Sequence, residues 1–329
     1  LNTDPLISVL MPVKNAAPFL DECLRSIIDQ TESNWELLAI DDGSTDSSAE
    51  ILHQHASTDQ RIKVFSNNGN GIIDALRTAY TASHGKLITR MDADDRMTAN
   101  KLEVLKKNIL TAGQGNVAVG QVAYFAEGKL GDGYRKYEQW LNALTATGSN
   151  YTDIYRECVI QSPCWMVHRD DLDRCGAFEP ITYPEDYDLC FRFYEAGLAV
   201  VPCNAVLHHW RDHSARTSRN HPHYADNRFL ELKLNWFLRL DHDPQRPLVL
   251  WGAGEKGKKL AQLLSSHGIA FHWICNNPNK IGKEIYGSVM QAPESLSTIN
   301  HPQVIVSVAN PHEQAELNAQ LTGEVFYFC

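Results

Sequence analysis

The first hundred residues alternate short apolar runs with helical periods: Ile7–Val13, Pro18–Gln30, Glu36–Ile40, Ser47–His55, Ile62–Phe65, Ile72–Ser83 and Leu87–Met91. Apolar runs without polar alternation belong to strands buried on both faces. This β-α-β-α-β-α-β rhythm therefore predicts a doubly wound sheet with helices on both sides. Ligands of such sheets bind beyond the carboxyl ends of the strands. The polar clusters at those ends are Lys14-Asn15, Asp41-Asp42-Gly43-Ser44-Thr45-Asp46, Asn67-Asn68-Gly69-Asn70-Gly71 and Asp92-Ala93-Asp94-Asp95.

Further along, Asn100–Leu110 reads as a helix and Val117–Phe125 as a strand, whereas Tyr134–Val159 shows no clear period. Tyr183-Pro184-Glu185-Asp186-Tyr187-Asp188 opens a helix through Leu189–Ala196, and Val206–Arg219 gathers three histidines and three arginines. The helical pattern Asp226–Leu240 ends in Asp241-His242-Asp243-Pro244, a Pro-bearing stretch that marks the expected domain boundary, with domains at 1–245 and 246–329. Beyond it the βα rhythm restarts with Leu248–Trp251, Lys256–His267, Phe271–Cys275, Val304–Val308, Glu313–Leu321 and Val325–Phe328, a small α/β module.

Charge narrows the function. The chain carries 30 Lys+Arg against 40 Asp+Glu, a net −10, which disfavours a nucleic-acid binder held by phosphate contacts. From Arg246 onward there are 6 basic and 6 acidic residues, so the first 245 residues hold the whole acidic excess. No apolar run reaches membrane-span length, and the start lacks a basic segment followed by an apolar one, so a soluble, cytoplasmic protein is expected. The 8 cysteines include no C-x-x-C pair, which argues for reduced thiols and against a zinc cage.

The acidic clusters carry the chemistry. In Asp41–Asp46, Gly43 serves a turn and Ser44 or Asp46 can cap the next helix, while the paired carboxylates can accept hydrogen bonds from a base or ribose. In Asp92-Ala93-Asp94-Asp95, three carboxylates in four residues repel unless a cation or proton intervenes. A hard divalent ion that keeps positions open for a diphosphate suits them, and a solvated acidic turn is the plain alternative.

The runs Val9-Leu10-Met11-Pro12-Val13-Lys14-Asn15, Ile40-Asp41-Asp42-Gly43-Ser44-Thr45-Asp46 and Arg90-Met91-Asp92-Ala93-Asp94-Asp95, followed by Glu185-Asp186 and Trp210-Arg211-Asp212-His213-Ser214, together resemble the family-2 glycosyltransferases of the GT-A fold over about residues 6–220. The resemblance implies a GT-A (nucleotide-diphospho-sugar transferase) doubly wound mixed sheet and an inverting, metal-dependent transfer from a UDP-sugar. The sugar would be a hexose or N-acetylhexosamine, moved to a hydroxyl of a glycan acceptor. It implies that Pro12, Val13 and Asn15 line the nucleotide pocket, with Asp42 on the uracil or ribose and Asn68–Gly71 beside the base. Asp94 would be the principal ligand of Mn²⁺ or Mg²⁺, Asp92 would meet ribose or metal-bound water, and His213 would join the metal or diphosphate. Asp186 would be the catalytic base. Many relatives have an Asn where Leu76-Arg77 stands here. A lipid-linked acceptor of polysaccharide biosynthesis would bring the enzyme to a membrane surface.

Chemistry supports these roles. A departing nucleoside diphosphate gathers negative charge, which a metal and residues such as His213, Arg216 and Arg219 can neutralise. The acceptor hydroxyl needs a base, and a carboxylate in a partly desolvated cleft suits that task. Glu185 can instead cap the helix, His208 and His209 read as polar residues of a strand end, and Trp165 is either an acceptor platform or core.

Gly252-Ala253-Gly254-Glu255-Lys256-Gly257 follows a strand and precedes a helix, as a dinucleotide fingerprint does. The next strand ends in Cys275-Asn276-Asn277, without the acid that would hold a ribose hydroxyl, and the module counts as half the usual dinucleotide fold. The expectation is a Rossmann-like accessory module for domain packing, homo-oligomer formation or partner docking. An NAD(P)-dependent oxidoreductase built on this turn is the alternative from another class, and a non-catalytic nucleotide-sugar binder is a third; Asp94, Asp186 and His213 speak against the latter.

Overall fold

The computed structural model describes residues 4–128, 130–214, 216, 229–321 and 324–329. The chain forms two compact units, one of Leu1–Thr152 with Val159–Arg216, the other of Asp153–Cys158 with Thr217–Cys329.

The first unit is built on one eight-stranded sheet. Its strands are β1 (Ile7–Val13), β2 (Trp35–Asp41), β3 (Ile62–Ser66), β4 (Leu87–Arg90), β5 (Arg96–Met97), β6 (Asn116–Phe125), β7 (Trp165–His168) and β8 (Ala199–Arg211), in the order β3-β2-β1-β4-β7-β6-β8-β5. The β3-β2-β1-β4 half is parallel, as the unbroken apolar runs predict. Antiparallel β7 then joins β4 to β6, and short antiparallel β5 closes on β8, so the sheet is mixed. Helices α1 (Ala17–Ile28), α2 (Ser48–Thr58), α3 (Ile72–Ala82) and α4 (Lys101–Ala112) follow β1, β2, β3 and β5. In α1, Leu20, Cys23, Leu24 and Ile27 recur at helical spacing and are all buried, which is why this stretch folds as a helix on the sheet. The aperiodic region contains α5 (Asp132–Thr147), where Leu141 is buried and Tyr137 and Trp140 are partly buried against the core. Among the described residues, short α6 (Arg169–Arg174) and then α7 (Glu185–Glu195) complete this unit's α-helices.

The second unit begins earlier than residue 246. Its helix α8 (Phe229–Leu240) sets Phe237 against Phe326 and Phe328, with ring centroids 4.8 and 6.0 Å apart, and Tyr155 stacks on Phe328 at 5.4 Å. That aromatic packing draws the helix and residues 153–158 into the C-terminal unit, so the Pro-bearing stretch 241–247 is a turn within it. A second sheet follows, with β9 (Leu248–Trp251), β10 (His272–Ile274), β11 (Glu284–Ile285), β12 (Ser288–Gln291), β13 (Gln303–Val306) and β14 (Glu324–Tyr327) in the order β11-β12-β10-β9-β13-β14. All its pairs are parallel except β11 with β12. The β12 segment went unread in the sequence because it is short and offers one buried residue, Met290. Five parallel strands are therefore present, more than the half-fold expected. Helices α9 (Glu255–Ser266) and α10 (Pro311–Gln320) flank the sheet. At the β9–α9 turn a Cβ on Gly257 would lie 2.2 Å from the Gly252 carbonyl oxygen, so the glycine lets the helix sit close on the strand.

Candidate active site

Every polar cluster singled out above lies at or beyond a strand end of the first unit, and the structure shows how each is held. At the end of β2, Asp42 is buried. Its Oδ1 accepts from Asn67 Nδ2 at 2.5 Å and from the Gly71 N–H at 3.0 Å, and Lys14 Nζ donates to Oδ2 at 3.0 Å. Burial pushes this carboxyl upward, but the bonds from Asn67, Lys14 and Gly71 outweigh it and hold the pKa below the usual aspartate value. Gly71, at φ +86°, provides the left-handed turn that aims its N–H at Asp42. Asn68 is exposed, so the contact belongs to its neighbour Asn67. Asn15 joins two loops, its N–H donating to Ser44 Oγ at 3.0 Å while its Oδ1 accepts from Thr45 N at 2.8 Å. Pro12 is half-buried in β1. The Val13 side chain is 1% exposed in the core, so only its backbone is available, and its carbonyl accepts from Asp42 N at 2.8 Å. Asp46 accepts from the N–H groups of Ser48 and Ala17, bracing the loop.

Beyond β4, the three carboxylates are separated by three different partners. Asp92 Oδ1 is gripped by Arg90 Nε and Nη2, each at 3.0 Å, and its Oδ2 accepts from Ser162 Oγ at 3.1 Å. Asp95, fully buried, accepts from Arg211 N at 2.7 Å and from His208 Nε2 at 2.9 Å. Burial, together with Asp94 and Asp92, pushes the Asp95 carboxyl well up. Asp94 is left with His213, whose Nε2 stands 2.8 Å from Oδ2 while its ring lies 4.5 Å from that of Phe19. Arg211 Nε fixes the Asp94 carbonyl at 2.7 Å. The Arg216 guanidinium lies over Trp210 and Tyr124, 4.9 and 5.4 Å from their ring centroids; burial acts to lower its pKa, and Tyr124, Asp95 and Asp94 outweigh that and raise it. Arg219 lies outside the described residues.

Asp94 and His213 converge, one carboxylate and one imidazole within hydrogen-bond distance of each other, both partly exposed. Among the described residues no third His, Cys, Asp or Glu joins them. An oxygen–nitrogen pair of this kind suits a divalent ion that draws its other ligands from water and a diphosphate.

Asp186 sits in the first turn of α7 and faces a small pocket lined also by Arg90, Ser162, Trp165, Glu185 and Phe178. Its Oδ1 accepts from Tyr187 N at 2.8 Å. Desolvation and the adjacent Glu185 push its pKa up to about 7, against the pull of Arg90. Glu185 is not a helix cap: its Oε1 accepts from Arg90 Nη1 at 2.8 Å. Arg90 thus bridges the acidic loop and α7, a role the sequence reading missed because a lone arginine at a strand end carries no spacing signal. The same holds for Ser162, while Asn67 stands in the polar cluster after β3 with its bond to Asp42 unread. Trp165, 2% exposed and edge-on to Phe193 at 5.8 Å, is a core residue. His208 is buried and belongs to an internal network, unlike the strand-end residue expected.

The family model for glycosyl transferase family 2 matches residues 8–176. The chain is 29% identical over 228 residues to the glycosyltransferase GlyA of Streptococcus pneumoniae, covering 66% of this chain and 32% of that protein. The chain thus spans about a third of GlyA's length. Over 242 residues it is 26% identical to the Escherichia coli UDP-Glc:alpha-D-GlcNAc-diphosphoundecaprenol beta-1,3-glucosyltransferase WfgD, covering 71% of this chain and 85% of WfgD. Among solved structures, S. aureus TarS 1–349 in complex with UDP-GlcNAc superposes with a TM-score of 0.57 at 16% identity, covering 80% of this chain and 72% of that one. The mannosyltransferase PcManGT of Pyrobaculum calidifontis, in complex with GDP-Man and Mn²⁺, does so with a TM-score of 0.53 at 17% identity, covering 74% and 66%. With the acidic loop, the Asp42 pocket and Asp186 arranged on this mixed sheet, the chain belongs to glycosyl transferase family 2 and has the GT-A fold.

Proposed function

We propose that the protein is an inverting, metal-dependent glycosyltransferase that moves a hexose or N-acetylhexosamine from a UDP-sugar to a hydroxyl of a glycan acceptor. The observation that carries this reading is Asp186: a half-buried carboxyl with its pKa raised to about 7, in a pocket it shares with the acidic loop's anchor Arg90. Such a group is ionised enough near neutrality to accept a proton and basic enough to hold it. The acceptor oxygen attacks the anomeric carbon, its proton passes to Asp186, and the bond to the diphosphate breaks with its electron pair leaving on UDP. Attack from the face opposite the leaving group inverts the anomeric centre.

Asp42 Oδ2 has Lys14 as its partner, a long side chain 53% exposed, so a uracil N3–H can claim that oxygen when the ammonium swings aside. Asn15 and Asn67 keep the two loops of this pocket in register. Asp94 and His213 would hold Mn²⁺ or Mg²⁺, and the bound ion would neutralise charge growing on the diphosphate. Arg216 supplies a fixed positive charge to the same side, and Asp92 offers an oxygen to ribose or to metal-bound water. TarS and PcManGT, crystallised with UDP-GlcNAc and with GDP-Man and Mn²⁺, support the donor class and the metal. The name of WfgD supports a lipid-linked acceptor, reached from the membrane surface. Among the described residues no helix is long and apolar enough to cross a membrane.

A sequence of 8 cysteines without a C-x-x-C pair is in keeping with reduced thiols and a cytoplasmic site of action. The second unit is read as an accessory module for docking or self-association. Incubation with a panel of nucleotide sugars and Mn²⁺ or Mg²⁺, with release of UDP as readout, tests the reading. Failure of every donor to release nucleotide in the presence of either metal refutes it.

A further inference from the structure

Beneath the acidic loop lies a chain of buried polar groups that the reaction itself does not use. Lys101, at the start of α4, and His208, in β8, are both 0% exposed, and Asp95 is 1% exposed. Lys101 Nζ is bonded to the Pro163 carbonyl and stands 3.1 Å from His208 Nδ1, while His208 Nε2 stands 2.9 Å from Asp95 Oδ2. Held as an ammonium, Lys101 can only donate, which makes Nδ1 the acceptor and leaves Nε2 to carry the proton toward Asp95. The chain thus runs from Lys101 through the His208 imidazole to the Asp95 carboxyl, with both Asp95 oxygens and both His208 nitrogens satisfied. The loop above is pinned from the same base. Asp95 N donates to the Asp92 carbonyl at 3.2 Å, Arg211 N holds Asp95 Oδ1, and Arg211 Nε holds the Asp94 carbonyl. A carboxylate next to Asp94 in sequence is in this way turned inward and occupied.

We propose that Lys101 and His208 are positioning residues of the glycosyl-transfer site: through Asp95 they set the backbone of the acidic loop so that Asp94 presents its carboxylate beside His213. This rests on the reading of Asp94 and His213 as metal ligands. Buried partners that orient groups around a metal site typically change metal affinity by about 10–100-fold when removed. A substitution at Lys101 frees the imidazole to take the other tautomer, whose lone pair would face Asp95, and the loop loses its anchor.

The test uses the full chain with Mn²⁺ as probe, in the presence of UDP, following free ion by electron paramagnetic resonance. Lys101→Met is expected to weaken Mn²⁺ binding by about 10–100-fold and to raise the donor KM more than it lowers kcat, while Lys101→Arg restores most of the affinity. Folded Lys101→Met protein with wild-type Mn²⁺ affinity and a lower Tm alone overturns the proposal and leaves the lysine a packing residue. Wild-type protein that binds no Mn²⁺ overturns the metal reading, and the proposal with it. Nitrogen-15 spectra of the wild-type His208 ring give an answer even where Lys101→Met does not fold. The Nε2–H tautomer is expected, and an Nδ1–H tautomer or an imidazolium overturns the chain.

Discussion

Replacing Asp186 by asparagine separates binding from catalysis. The pKa of Asp186 is raised from 3.8 to about 7 by desolvation and by Glu185, with Arg90 opposing. The fraction able to accept a proton is then about one tenth at pH 6, a half at pH 7 and nine tenths at pH 8, so turnover should rise about tenfold between pH 6 and pH 8 and level off above. Asp186→Asn keeps the shape and removes the basic oxygen. Turnover should fall by about 10²–10⁴-fold and lose this acid limb, while UDP and metal affinity persist. Stability supplies a second sign. Because the folded-state pKa lies above the unfolded one, the favourable contribution is complete below about pH 4 and is lost as pH rises through about 7. The asparagine variant escapes that loss, so its stability relative to wild type should grow between pH 4 and pH 7. Urea unfolding at pH 5 and pH 8, with initial rates across the same range, measures both effects. Near-normal turnover of the variant, or a product that retains the donor's anomeric configuration, would refute the reasoning.

Asp94→Ala should abolish metal-dependent UDP binding in calorimetric titration, and His213→Ala should weaken it less, since water and the diphosphate remain as ligands. Arg90→Met strips the cation from Glu185 and Asp92 and should cost about 3–5 kcal/mol in urea unfolding, while moving the acid limb of turnover above that of wild type because Arg90 holds the Asp186 pKa down. In the second unit, Gly257→Ala would set a Cβ 2.2 Å from the Gly252 carbonyl oxygen and should lower stability by about 1–3 kcal/mol, read as a lower Tm. The full chain should show no saturable NAD binding in the low micromolar range, since β10 is followed by Cys275-Asn276-Asn277 and no carboxylate.

The parallel half of the first sheet was legible because its strands are buried on both faces, and uninterrupted apolar runs such as Leu37–Ile40 leave no other reading. In the mixed half only β6 was, as the run Val117–Phe125. The 13-residue strand β8 mixes exposed Asn204 with buried Leu207 and His208, and its pairing with β6 shifts register around Gly120 and Gln121, so no simple period survives in the sequence. Helix α8 was found, but its membership was not, because nothing in its own residues says that Phe237 meets rings almost a hundred positions away.

For the candidate site, the distinction is between residues that would touch ligands and residues that hold them. Asp42, Asp94, Asp186 and His213 stand in runs whose type and spacing mark them. Arg90, Asn67, Ser162, Lys101 and the inward role of Asp95 emerge only from contacts across 25 to 113 positions of chain. Three carboxylates in four residues, taken by sequence alone, call for a metal or a proton to relieve their repulsion. The structure relieves most of it with protein groups, as Arg90 grips Asp92 and Arg211 and His208 occupy Asp95. That distribution leaves Asp94 the carboxylate free to meet a cation, facing the imidazole of His213. The metal question is thereby narrowed from a cluster of acids to one oxygen, and for that reason Asp94→Ala should behave differently from Asp92→Ala. The first should remove metal-dependent binding, whereas the second should loosen Arg90 and Ser162 and so disturb the pocket of Asp186, lowering turnover more than Mn²⁺ affinity in the same titration. Equal loss of Mn²⁺ affinity in both variants would mean that the two carboxylates share the ion and that Arg90 does not set Asp92 apart.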